Sequence, residues 1–188
     1  MPEDPSTASE APTSHSPRLG PVLCVVSAYN GSITSRLLEG ARAEFARRGG
    51  SPDHFGVVEA PGAYELPALA AEAARGGLFS AVVCLGCVVR GETPHDEHIA
   101  RAVAHEVARI SSDSGVPVAF GVLTVLDSDQ AEARAGGAHG NKGEEAMAAA
   151  LDTAAALAAI RDAAATRDAA IEFRLNDSKP DKPRGGSQ

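Results

Sequence analysis

Four short apolar runs punctuate this chain: Pro21 to Ala28 (PVLCVVSA), Phe55 to Glu59, Ala81 to Val89 (AVVCLGCVV) and Val116 to Leu126 (VPVAFGVLTVL). Hydrophobicity that runs on without alternating is what a parallel strand covered on both faces requires, so each run predicts a buried strand. The rhythm between them is helical. Leu37, Ala41 and Phe45 mark one stripe of a helix from about Ile33 to Arg48, and Ile99, Val103 and Val107 mark another from Pro94 to about Ser112. Further helices are predicted from Glu65 to Arg75, over Ser128 to Ala135, and from an Asn141 cap into an alanine-rich stretch carrying Met147, Leu151 and Leu157. Gly49-Gly50 and Gly76-Gly77 stop two of these, Pro61-Gly62 forces a turn, and Gly136 to Gly140 reads as a loop. Strand and helix alternating in this way predict a three-layer α/β/α domain, a four-stranded parallel sheet with helices on both faces.

Composition narrows the rest. With 188 residues, 44% of them hydrophobic, the chain suits one domain over residues 21–170. Residues 1–20, rich in Pro, Ser and acids, are expected to be a disordered tail, and residues 171–188 a polar one. A net charge of −8 and 4% aromatic content argue against a nucleic-acid partner. No apolar run is long enough to cross a membrane, and the N-terminus lacks the basic-then-apolar order of a signal peptide. Cys24, Cys84 and Cys87 fit a reducing cytoplasm. Cys84 and Cys87 stand three apart in a strand and so face opposite ways, which makes them small buried apolar residues rather than a redox pair.

The chemistry gathers at the strand ends. Tyr29 and Asn30 follow the first strand, Ala63-Tyr64-Glu65 the second and Arg90 to His95 the third, while the fourth carries Phe120. The carboxyl edge of an open α/β sheet is where ligands bind. At its centre, Thr93-Pro94 reads as a helix start, with the Thr93 hydroxyl accepting a backbone N–H and His95 on the first turn. His95 is the leading acid–base candidate, since imidazole titrates near neutral pH; the alternative is a solvated helix-start histidine. Gly91-Glu92-Thr93 offers backbone N–H groups and a hydroxyl to a phosphate, with Arg134 and Lys142 as counter-charge. Neither a Walker loop nor G-x-G-x-x-G occurs, so an anionic small molecule fits better than a nucleotide. Glu97 and Arg101 have the spacing of a surface pair. The residues His95, Asp96, Glu97, His98 and His105 spread over more than one helical face, and no metal is predicted.

Several segments together resemble the 6,7-dimethyl-8-ribityllumazine synthase family: Tyr29-Asn30 with Ile33 to Gly40, Ala60 to Pro67, Leu85 to His95, Phe120 to Thr124, and Gly140-Asn141-Lys142-Gly143. The resemblance runs in unbroken order over about residues 21–160. It implies a flavodoxin-like fold and a cofactor-free transferase of riboflavin biosynthesis, which condenses 5-amino-6-(D-ribitylamino)uracil with 3,4-dihydroxy-2-butanone 4-phosphate and releases phosphate and water. By that likeness Tyr29 stacks on the pyrimidine, Ala63, Tyr64 and Glu65 hold the ribityl chain, and the backbone of Cys87, Val88 and Val89 lines the ring edge. Phe120 completes the pocket at a neighbouring subunit, Glu92, Thr93 and Arg134 grip the phosphate, and His95 shuttles protons, with Glu97 and Lys142 in support.

The resemblance also implies a homo-oligomer, either a pentamer or a 60-subunit icosahedral capsid, with riboflavin synthase as a candidate partner. The chain departs from the family pattern at Asp96 and His98, where aromatics are usual, at Ala138, where lysine is usual, and at Glu144, where tryptophan is common. Ser32 also stands where a bulkier residue is frequent. A second reading is therefore a catalytically weakened paralogue that binds flavins or lumazines or builds a shell. A monomeric flavodoxin-like module is a third, but it leaves the motif series unexplained.

Overall fold

The computed structural model describes residues 19–174. Strands β1 (Val22–Ser27), β2 (Phe55–Ala60), β3 (Ala81–Val89) and β4 (Val118–Val125) form one sheet in the order β2-β1-β3-β4. Every neighbouring pair is parallel. Helices α1 (Gly31–Arg47), α2 (Leu66–Arg75), α3 (His95–Ser114), α4 (Ser128–Arg134) and α5 (Lys142–Thr166) make up the outer layers. This is the three-layer α/β/α arrangement that the apolar runs predict and the flavodoxin-like one that the family resemblance implies.

The central strand shows why its sequence is continuously apolar. Ala81, Val83, Leu85 and Cys87 pack with α1 and α5 on one face; Val82, Cys84 and Val88 pack with α2 and α3 on the other. Cys84 and Cys87 thus part to opposite faces. Burial pushes the Cys84 thiol up to about 12 and that of Cys87 up to about 11, so neither is an available thiolate at neutral pH.

The helix ends follow local chemistry. At the end of α1, Gly49 takes φ +85° and donates to the Ala46 carbonyl at 2.9 Å, while Gly50 donates to Phe45 at 2.9 Å, a Schellman closure. Along α1, burial works to raise the Glu44 carboxyl, but Arg47 and Arg48 outweigh it and hold that group below the ordinary carboxylate range. Arg48 also reaches Asp152 at 2.6 Å and ties α1 to α5.

Two local expectations are corrected. Strand β4 begins at Val118 rather than Val116, because Pro117 has no N–H to give the ladder; its carbonyl accepts from Val82 at 2.8 Å instead. The expected loop is a small antiparallel ribbon of β5 (Ala135–Gly137) and β6 (Gly140–Asn141), folded by Gly136 and Gly140 at positive φ. Leu157 is half-buried, since the packed face of α5 ends at Leu151. Apart from residues 19–20 and 171–174, the two expected tails lie outside the described residues. Among the described residues no helix is long and apolar enough to cross a membrane.

Candidate active site

Three strand ends build one cavity, and each is held by its own local device. After β1, Asn30 adopts the left-handed conformation (φ 58°, ψ 45°), which asparagine tolerates better than most residues. Its carbonyl accepts from Ile33 at 2.9 Å and Thr34 at 3.1 Å, starting α1, and its Nδ2 donates to the Cys87 carbonyl at 2.9 Å. That bond fixes the end of β3 against the end of β1. Tyr29, just before it, is turned outward and 73% exposed.

After β2, a 3-10 turn over Ala63–Glu65 leads into α2. Ala63 is buried under the turn, while Tyr64 is 63% exposed. The Glu65 carboxylate folds back over Gly62, where a Cβ would stand only 2.9 Å from its Oε2.

After β3, Arg90 donates its backbone N–H to the Val125 carbonyl at 2.9 Å, and the chain then enters α3. The predicted cap is not made. Pro94 (φ −72°, ψ 19°), not Thr93, is the capping residue, the helix begins at His95, and no side chain caps it. Proline brings no side-chain acceptor, so the first amides of α3 are left open, and the Thr93 hydroxyl makes no hydrogen bond among the described residues. The His95 imidazole is exposed and makes no hydrogen bond or ion pair with another described residue.

The cavity between these ends has a volume of about 590 Å³, a size that suits a small-molecule site. Tyr29, Ala63, Tyr64, Glu65, Cys87, Val88, Val89, Thr93 and His95 all line it. Gly91, offered for its backbone, and Asn30, named only for its place at the end of the first strand, line it too, as do Gly62, Asp96 and Ile99, which sequence reasoning did not assign to the site. The signal for Asn30 was its place directly after Tyr29, but its tie to Cys87 spans 57 residues and only the fold reveals it.

The other candidates stand elsewhere on this chain. Phe120 and Lys142 line a separate 400 Å³ cavity between β4 and α5, where Lys142 pairs with Glu145 at 2.7 Å. Arg134 is not among the residues lining the His95 cavity; its Nη1 donates to the Gln130 carbonyl at 3.2 Å. Glu92 is exposed in the loop between Gly91 and Thr93. Glu97 pairs with Arg101 at 3.4 Å and lines a neighbouring groove with Arg90, so its carboxylate does not orient His95.

A titratable imidazole, an uncommitted hydroxyl, free helix-start amides and two exposed aromatic rings thus share one space. They can stack a flat ring, hold an anion and move a proton. Fold and rim together place the chain among the parallel α/β proteins that take small ligands at the carboxyl edge of the sheet. Within that class it belongs to the 6,7-dimethyl-8-ribityllumazine synthase family, whose model matches residues 21–158. Similar proteins bearing that name occur in two strains of Xanthomonas campestris pv. campestris, B100 and 8004, and in Stenotrophomonas maltophilia R551-3. Each is 47% identical over 128 residues, covering 68% of this chain and 83% of the relative.

Proposed function

We infer that this chain is a transferase that forms 6,7-dimethyl-8-ribityllumazine from 5-amino-6-(D-ribitylamino)uracil and 3,4-dihydroxy-2-butanone 4-phosphate, with loss of phosphate and water. Family membership supports the reaction, and the observation that carries it onto this molecule is the cavity that collects Tyr29, Glu65, Thr93 and His95 at one rim. The pyrimidine stacks on Tyr29 with its edge along the backbone of Cys87 to Val89, while Ala63, Tyr64 and Glu65 hold the ribityl chain. The phosphate sits at the open start of α3 with Glu92 and Thr93 beside it. His95 takes and returns protons as the imine forms and phosphate departs, with no cofactor required. Holding two reactants in one pocket is itself worth up to roughly 7 to 11 kcal/mol in well-oriented systems.

The site is a half-site in this reading. Tyr29 and Tyr64 lie largely open, while Phe120, Lys142 and Arg134 stand away from the His95 cavity. A second copy that presents its Phe120, Lys142 and Arg134 to this cavity would complete it, which supports a homo-oligomer, a pentamer or the larger capsid, with riboflavin synthase as a candidate partner. Three buried free cysteines support a reducing, cytoplasmic setting.

Mixing the purified chain with both substrates and following the lumazine absorbance tests the reaction. Product formation well above the spontaneous rate is expected, and a rate equal to it would refute the reading. Light scattering on the same sample is expected to show a pentamer or larger; a monomer would refute the shared site.

A further inference from the structure

The wall of the His95 cavity carries the wrong sign of charge for a place that is to receive a phosphate. Among the described residues that line it there is no lysine or arginine, and the carboxylates are Glu65 and Asp96. Glu65 stands at the start of α2, folded over Gly62. Asp96 belongs to the first turn of α3, one residue after His95. It is half-buried, and its carboxylate makes no hydrogen bond or ion pair with another described residue.

The neighbouring acids are placed differently. Glu97 pairs with Arg101 at 3.4 Å and lines the adjoining groove rather than this cavity. Glu92 is exposed in the loop and does not line it either. Asp96 reaches the adjoining groove as well, where Arg90 also stands, but no ion pair joins those two. Among the described residues Asp96 is thus the one carboxylate that is both in the first turn of α3 and on the cavity wall.

An acid in a first turn has an ordinary use, since it answers the positive end of the helix dipole. Here that use and the open helix start oppose each other. The uncapped amides and the dipole behind them draw an anion, and the Asp96 carboxylate already stands beside them. A phosphate arriving at this turn meets a like charge within roughly one helical pitch, about 5 Å, and no cation on the cavity wall offsets it. In a solvent-filled site that repulsion corresponds to about three- to tenfold in a binding constant.

We propose that Asp96 is a specificity-determining residue that holds down the grip of the α3 start on phosphate, so that a phosphate monoester can be held there and inorganic phosphate released. That the monoester is the butanone substrate rests on the reaction proposed above; that Asp96 opposes an anion at this turn does not. The ribitylaminouracil carries no charge for Asp96 to repel, so the effect falls on one reactant only.

The test titrates inorganic phosphate into the full-length protein in its native assembly, read by calorimetry, for wild type, Asp96→Asn, Asp96→Glu and Glu97→Gln. Asp96→Asn keeps the shape and removes the charge, and should bind phosphate about three- to tenfold more tightly, with the gain shrinking as salt is raised. Asp96→Glu keeps the charge and should stay at the wild-type affinity. Glu97→Gln makes the same change in net charge one residue along, outside the cavity, and should move the affinity by less than about twofold. Asp96→Asn should melt no higher than wild type, because it gives up a favourable charge at the helix start, so tighter binding would not come from a firmer fold. No phosphate binding by any of the four, an unchanged or weaker affinity in Asp96→Asn, or an equal gain in Glu97→Gln would overturn the proposal. In turnover, Asp96→Asn should lower KM for the butanone phosphate by the same factor and leave KM for the ribitylaminouracil as it was. Tighter phosphate binding in Asp96→Asn of a protein that makes no lumazine would keep this role and remove the reaction. Active turnover with phosphate affinity and both KM values unchanged in Asp96→Asn would do the reverse.

Discussion

Helices α3 and α5 begin in opposite ways. At α5 the Asn141 side chain accepts from Gly143 N–H at 2.8 Å and Glu144 N–H at 3.4 Å, and gives its own N–H to the Arg36 carbonyl at 2.8 Å. The amide fits because Gly40 faces it without a Cβ, and Gly143 is buried directly against the Leu37 backbone. That start is sealed. At α3 no side chain caps the helix, and Thr93 and His95 stay exposed. An uncapped start forgoes about 1 kcal/mol that a good cap would supply. The contrast teaches that one helix start serves packing, whereas the other is left with donors that a ligand's charge can use.

Removing the imidazole probes the open start most strongly. His95→Ala should lower kcat by about 10²- to 10⁴-fold, the span of a lost general acid–base group, while the melting temperature and assembly stay as in wild type. An unchanged kcat would take the proton-transfer role away from His95. At the sealed start the effect moves from rate to stability. Asn141→Ala should cost about 1 to 2 kcal/mol in denaturant unfolding, since it strips two amides of their acceptor and removes the tie from this side chain to the Arg36 carbonyl of α1. Unaltered unfolding would mean that the seal contributes nothing.

The same contrast explains what was legible in the sequence. Strands could be read because burial on both faces leaves a continuous apolar record, as in Ala81 to Val89, and helix ends because Gly49 and Gly50 have few other uses there. For Tyr29, Ala63 to Glu65, Thr93 and His95 membership of the cavity followed from topology, since they sit where parallel strands end, whereas Cys87 to Val89 were named by the family resemblance. Not every side-chain partnership was legible. Spacing alone could not say that Thr93 leaves α3 uncapped. Nor could it say that Asn30 reaches across to Cys87, whereas the i, i+4 spacing of Glu97 and Arg101 did announce the surface pair that they form. The resemblance put Phe120 at a neighbouring subunit, but the places of Arg134 and Lys142 were hidden for a different reason. A linear motif series records which residues a site uses but not which surface of the chain presents them, so groups for one pocket can stand in separate cavities of a single copy.

The smallest expected change sharpens the contrast most, because it asks for two effects of different kind from one atom group. Pro94→Ser gives α3 the acceptor it lacks, at the position that already serves as its cap. A serine cap adds roughly 0.5 to 2 kcal/mol, whereas losing proline's rigidity in the unfolded chain takes back about 0.4 to 1 kcal/mol. Net stability should therefore hold or rise slightly, by about 0.5 kcal/mol. The helix-start amides, however, would now be engaged by the serine hydroxyl rather than waiting for the phosphate. KM for the butanone phosphate should rise about threefold, the loss of a fraction of one hydrogen bond's worth of binding, with KM for the ribitylaminouracil unchanged. If stability rises and both KM values stay put, the amides of α3 do not hold the phosphate, and the open start would have to be read as a packing choice like its counterpart.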